Sequence, residues 1–283
     1  MTPVVAVIAP GAMGAAVGKR LVDNGVTVLT SLEGRSEETQ GRARAAGMSA
    51  AKDDDIARAD FILSILPPGD ALSLAQRFVP ALTASNAKPV YVDCNAINPK
   101  TVDRVAAAIA PTGSPFVDAG IIGQPPKPGD AGPRIYASGA AAPRVAALRD
   151  YGLDIRVLDG ALSAASALKM SYAGITKGTQ AIGAAMMLAA MRTGTADSLM
   201  AELQFSQKEM LAWLKRQLTM MPPKAYRWVA EMQEIAGFEM RGPASPGFGG
   251  WPMIPASTNE DPVGAMAAAT RSTVFGLMAL QST

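Results

Sequence analysis

The feature that most constrains this chain lies at its start. Val4-Val5-Ala6-Val7-Ile8 is an unbroken apolar run, mostly β-branched, and it passes without a linker into Ala9-Pro10-Gly11-Ala12-Met13-Gly14. A helical pattern then covers residues 13–24, Gly25 stops it, and residues 26–30 form a second apolar run. Such a continuous run reads as a strand covered on both faces. The alternation continues with runs at 61–66, 90–93, 116–118 and 134–138. Strands interleaved with helices imply βαβ units, so the expectation is a doubly wound, mostly parallel sheet with helices on both faces.

The texture changes after Gly160. Residues 161–191 are rich in Ala, Met and Gly and contain no proline, which predicts a long buried helix. Further helices are expected at 198–220 and 224–236, separated by Pro222-Pro223, and at 263–280 after a Pro/Gly/Ser/Trp loop at 242–262. The expected fold class is α/β, with a Rossmann-type domain over 1–160 and an all-helical substrate and dimerisation domain over 161–283.

Composition narrows the chemistry. Of 283 residues 49% are hydrophobic and 18% charged, so the chain has material for a large core. The net charge is +2, from 26 basic and 24 acidic residues, and no basic block stands out, so no nucleic-acid partner is expected. The single cysteine, Cys94, excludes an internal disulfide and is expected to be a small core residue. The chain has no histidine, which removes Ser-His-Asp hydrolysis and histidine acid/base chemistry; no metal site is expected. The first residues read as fold rather than as a signal peptide. Residues 173–191 carry Lys177, Thr179 and Gln180 and suit a buried helix better than a bilayer span. The expected location is the cytoplasm, with no membrane partner.

The loop after the first run is close to the dinucleotide fingerprint G-x-G-x-x-G between strand and helix. Ala9 stands at the first glycine, and Gly11 and Gly14 at the second and third. Pro10, Gly11, Ala12, Met13 and Gly14 are therefore the expected pyrophosphate cradle, with the anion on the helix N-terminus. At the end of the second run, where an acidic residue would select NAD, the chain has Thr30-Ser31-Leu32-Glu33-Gly34-Arg35-Ser36. Arg35 with Ser31 or Ser36 suits a 2′-phosphate, because a guanidinium binds phosphate bidentately. The expected cofactor is NADP(H), with NAD(H) as the alternative; Glu33 is a competing acid.

Five motifs in order make the chain resemble the β-hydroxyacid dehydrogenase superfamily, which includes 6-phosphogluconate and 3-hydroxyisobutyrate dehydrogenases and relatives of imine reductases. They are Val7-Ile8-Ala9-Pro10-Gly11-Ala12-Met13-Gly14, Ser64-Ile65-Leu66-Pro67-Pro68, Asp93-Cys94-Asn95-Ala96-Ile97-Asn98-Pro99, Phe116-Val117-Asp118-Ala119-Gly120-Ile121-Ile122-Gly123-Gln124, and the segment from Gly160 to Lys169. Residues 227–236 are similar to the C-terminal domain of a poorly characterised branch. The resemblance implies that Leu66, Pro67, Pro68 and Asn95 line the cofactor and that Ile122, Gly123 and Gln124 line the substrate. It also implies that Lys169 is the catalytic lysine. Ile122 stands for a family serine, Ala96 for a threonine and Ala173 for an asparagine, so the substrate cradle is less polar than the family pattern.

With no histidine, Lys169 is the best acid/base candidate. An ammonium buried beside the sheet domain is desolvated, which suits proton transfer near neutrality. Tyr172 is either a second proton donor or a packing residue. Glu231 is a substrate-side candidate, with ion pairing as its plainer reading, and Lys177 reads as a paired or solvated charge. Asp118 is expected to end a strand and organise the next turn. The implied activity is an NADP-dependent oxidoreductase interconverting hydroxyl and carbonyl on a small, relatively apolar substrate. A C=N reductase and a non-catalytic NADP-binding protein are the alternatives. The apolar stretch 173–191 predicts a homodimer.

Overall fold

The computed structural model describes residues 2–225 and 228–238. Eight strands are β1 Val4–Ile8, β2 Thr27–Thr30, β3 Ser49–Ala50, β4 Phe61–Ser64, β5 Val90–Asp93, β6 Phe116–Ile122, β7 Arg134–Ser138 and β8 Asp154–Val157. They form one sheet in the order β3-β2-β1-β4-β5-β6-β7-β8. The pairings from β3 through to β6 are parallel, with the reversal of strand order between β1 and β4 that marks a doubly wound fold.

Helices α1 Ala12–Asp23, α2 Glu37–Ala45, α3 Asp53–Ile56, α4 Ala71–Ala84, α5 Pro99–Ile109 and α6 Ala142–Val145 connect them. The side-chain period of two divides the sheet into two cores. Val5, Val7, Leu63, Val92, Val117 and Ile135 pack on one side with Val17 and Leu21 of α1. Ala6, Ile8, Ile62 and Tyr91 pack on the other with Phe78 of α4 and Val105 of α5.

Two departures from the expected sheet have a common cause. The β6–β7 pairing is antiparallel, because residues 123–133 include Pro125, Pro126, Pro128 and Pro133 and form a loop instead of a crossover helix. Strand β6 also runs on to Ile122 rather than stopping at Asp118, since β7 returns beside it as far as the Ile122–Arg134 pair. Strands β3 and β8 were not expected; β3 is two residues long, and β8 carries the polar residues Asp154 and Arg156.

The helical half begins with α7, Ala164–Arg192, and continues with α8 Ala196–Ser206, α9 Lys208–Met220, α10 Pro222–Ala225 and α11 Trp228–Ala236. The chain divides into two compact units after Met170, inside α7. The single helix expected over 198–220 is broken at Gln207, whose φ is −138°. Pro222 and Pro223 stand between α9 and α11, as expected, and also open the short helix α10, since proline is tolerated in a first turn. Within the second unit α7 packs closely: a Cβ on Gly183 would come within 2.5 Å of Leu214 Cδ2, and Ala184 sits against Met221 and Ala225. The expected loop 242–262, with Trp251-Pro252, and the helix 263–280 lie outside the described residues. Among the described residues no helix is long and apolar enough to cross a membrane.

Candidate cofactor and active site

Strand β1 delivers the chain to the C-terminal edge of the sheet, and α1 opens there behind Gly11. Gly11 is extended, no side chain caps the helix, and its first turn has no acidic residue. Among the described residues no side chain therefore caps the backbone N–H groups at this end, and the helix's own first turn sets no anion against the positive end of its dipole. The two glycines have different duties. A Cβ on Gly14 would run into the carbonyl oxygen of Ala9, so the loop folds back onto the helix only because Gly14 has none. A Cβ on Gly11 would meet nothing within 4 Å, which leaves the face open to a ligand. These features fit a dinucleotide pyrophosphate. Pro10 is buried, and its carbonyl accepts from Arg42 Nε at 3.2 Å. Arg42 comes from α2 and had no local signal in the sequence. A cavity of about 300 Å³ adjoins this end, between α1, α2 and the loop after β6. Of the four cations that line it, Lys19, Arg20 and Arg42 pair with Asp23, Asp130 and Glu38, and Lys127 is the fourth.

At the end of β2 the expected residues separate. Arg35 is half-buried behind the turn made by Glu33 and Gly34. Ser36 caps α2, accepting from the Thr39 amide at 3.3 Å. Ser31 is buried and accepts from Arg77 Nη2 at 2.7 Å, while Arg77 also makes a two-pronged pair with Asp53 at 2.6 and 2.8 Å. Arg77, on α4, is a cation at this end that sequence order alone does not reveal.

Asn95 is a bracket between strand ends. Its Oδ1 accepts from the Leu66 amide at 2.6 Å, its Nδ2 donates to Ser64 Oγ at 2.8 Å, and its own amide donates to Asp93 Oδ1 at 2.9 Å. It is buried, so its side chain shapes the Leu66-Pro67-Pro68 loop, where Pro67 is exposed and Leu66 and Pro68 are half-buried. Cys94 is buried in the core, and burial pushes its thiol up.

A polar row crosses the sheet beside this bracket. Ser64 pairs in register with Asp93, Asp93 with Asp118, and Asp118 with Ser138; all four are fully buried. Burial pushes the Asp93 carboxyl up to about 7, against the opposing hydrogen bond from Asn95. Burial also raises Asp118 to about 6, against its bonds to Ser166 and Ser138. Asp118 does not end a strand or organise a turn. It lies within β6 and takes the Ser166 amide and hydroxyl of α7 at 2.8 and 2.6 Å. One turn further along α7, Lys169 donates from Nζ to the Ile121 carbonyl at 2.8 Å. Ile122 is buried as the last residue of β6, and Gly123 and Gln124 follow it exposed.

In the second unit Tyr172 is half-exposed. Glu231 makes an ion pair with Lys177, whose ammonium lies 5.0 Å from the Trp228 ring centroid. Among the described residues no cluster of His, Cys, Asp and Glu is arranged to hold a metal ion.

A doubly wound sheet that presents an open helix N-terminus at its carboxyl edge has the form of a nucleotide-binding domain. Residues 4–149 match the NAD binding domain of 6-phosphogluconate dehydrogenase, and the chain belongs to that family, as an oxidoreductase of the hydroxyacid-dehydrogenase type. Residues 190–241 match a domain of unknown function designated DUF1932. An uncharacterised 28.5 kDa protein from Methanothermus fervidus is 30% identical over 181 residues, 63% of this chain and 68% of its own length. A conserved protein of unknown function, described as structurally similar to 3-hydroxyacid dehydrogenases, superposes with a TM-score of 0.70 at 28% identity, covering 95% of this chain and 96% of its own. A variant imine reductase from Myxococcus stipitatus in complex with NAD+ superposes with a TM-score of 0.53 at 19% identity over 81% and 76% of the two chains, a likeness of fold.

Proposed function

We propose that the protein is an NADP-dependent dehydrogenase or reductase that interconverts a hydroxyl and a carbonyl group, with Lys169 as its acid/base residue. The observation that carries this reading is the Lys169 Nζ bond to the Ile121 carbonyl. It holds an ammonium beside the carboxyl end of β6, the edge at which an open α/β sheet binds ligands. The nicotinamide, when bound, supplies or accepts the hydride. Lys169 gives a proton to the carbonyl oxygen in reduction and takes it from the hydroxyl in oxidation. The N–H groups of Ala12, Met13 and Gly14 hold the pyrophosphate, and Arg35 receives the 2′-phosphate. Ile122, Gly123 and Gln124 directly follow Ile121, the residue that accepts from Lys169, and line the substrate. Ile122 in place of a hydroxyl residue supports an apolar substrate. Tyr172 stands as the second proton donor.

The working form is a homodimer. Tyr172, Ile175, Ile182 and Met186 of α7 are exposed at intervals of three, seven and four residues, which sets them along one side of the helix.

The test is oxidation of NADPH at 340 nm with aldehydes, ketones and cyclic imines. Turnover of a carbonyl compound, with Lys169→Met lowering kcat by about 10²–10⁴ while NADPH affinity stays near that of the parent, is the expected result. Turnover confined to cyclic imines, or parent-like kcat in the Lys169→Met variant, overturns it.

A further inference from the structure

We propose that Asp118 is the positioning residue for Lys169: its carboxylate closes the N-terminus of α7 and so fixes the turn from which the lysine reaches the end of β6. The proposal rests on the reading of Lys169 as the acid/base residue.

The first amides of a helix have no partner within it and must find one elsewhere. In α7 the partners come from the sheet. Ser138 Oγ accepts from the Ala165 amide at 3.0 Å and donates to the Leu162 carbonyl at 2.6 Å. Asp118 Oδ2 accepts from the Ser166 amide, and Oδ1 from the Ser166 hydroxyl. Ser138 and Asp118 are register partners on β7 and β6, so two adjacent strands grip one helix end. An anion there is also favoured by the helix dipole. Contact between strand and helix is tight just beyond: a Cβ on Gly120 would come within 2.9 Å of the Ala165 carbonyl and 3.1 Å of Lys169 Cβ. Lys169 lies three residues after Ser166, hence on the same helix face. The helix cannot rotate or slide at its start without breaking the Asp118 bonds, and any such movement carries the lysine off the Ile121 carbonyl.

The experiment uses the full-length protein and the variants Asp118→Ala, Asp118→Asn and Ser166→Ala. Trace labelling with an amine-reactive acid anhydride, read by mass spectrometry, gives the reactivity of Lys169 against Lys19 and Lys88 as internal references. Activity is measured alongside. In Asp118→Ala the Lys169 labelling rate should change about tenfold relative to the references. The kcat should fall on the order of 10²-fold, the scale of a 1 Å misplacement, while NADPH affinity stays within about twofold. Asp118→Asn keeps an acceptor and should recover most of both readouts; Ser166→Ala, which keeps the amide bond, should lie between. A lowered melting temperature with unchanged Lys169 labelling and parent-like kcat overturns the proposal and leaves Asp118 a plain helix cap. If Asp118→Ala does not fold, the same labelling readout on Ser166→Ala and Asp118→Asn decides. Failure of the functional reading is separate, because it appears as a parent-like Lys169→Met variant whatever the labelling shows.

Discussion

Asp93 and Asp118 lie side by side, register partners of the parallel pair β5 and β6, and neither has any solvent exposure. Both carboxyls are raised by burial, Asp93 to about 7 and Asp118 to about 6, and each is ordinarily near 4 in an unfolded chain. The native state therefore holds protons that the unfolded state releases, and stability falls as pH rises from about 4 through about 7. Asp93→Asn removes its share of this slope. Relative to the parent, the variant should be more favoured at pH 8 than at pH 5, by roughly 2 kcal/mol. Urea unfolding midpoints at the two pH values check this; equal differences at both would show that Asp93 does not titrate in that window.

Gly11 and Gly14 should separate binding from folding. A helical Gly→Ala change normally stabilises by up to about 1 kcal/mol. At Gly14 the new Cβ collides with the Ala9 carbonyl, so Gly14→Ala should instead destabilise by about 1–3 kcal/mol and lose cofactor binding. Gly11→Ala has an ordinary backbone and open space, so its melting temperature should be that of the parent while NADPH affinity falls at least tenfold. Calorimetry of both variants with and without NADPH distinguishes these outcomes.

Cofactor preference should reside at the end of β2. Arg35→Ala should weaken NADPH by roughly 1.5–3 kcal/mol for a lost charge-assisted bond, and NADH far less. Titration of the parent with both nucleotides is the prior check, since equal affinities there remove the premise. Arg77→Met tests the second cation: it should destabilise the fold through Ser31 and Asp53 without changing the NADPH to NADH ratio.

Ile182 lies in the middle of the exposed side of α7. Light scattering of the parent at micromolar concentration should give a dimer, and Ile182→Glu should shift it to monomer, because a carboxylate in an apolar contact must be desolvated without a partner. A monomeric parent removes the assembly.

Elements whose signals are local could be read directly from the chain. β1 and β5 match their expected ranges because an apolar run covered on both faces has few other folds; β7 also matches, with Ile135 and Ala137 buried and Arg134 and Tyr136 half-buried. The turn between β1 and α1 was legible for a similar reason: Gly14 meets the Ala9 carbonyl only five residues back, and Gly11 leaves its own face open. The short strands β3 and β8, the antiparallel return of β7 and the break at Gln207 were not, since each depends on a neighbour far along the chain or on one residue's backbone. The candidate site divides in the same way. Lys169 was singled out from motif order, whereas its hold on Ile121 needs β6 and α7 to be packed. Asp118 looked like the end of a strand. Only tertiary structure, by pairing β6 with β7 and setting α7 against both, made its carboxylate the cap of a helix that starts 46 residues later. Hydrogen bonds between groups so distant in sequence leave no periodicity to read; a buried polar side chain finds its partner only when the core closes around it.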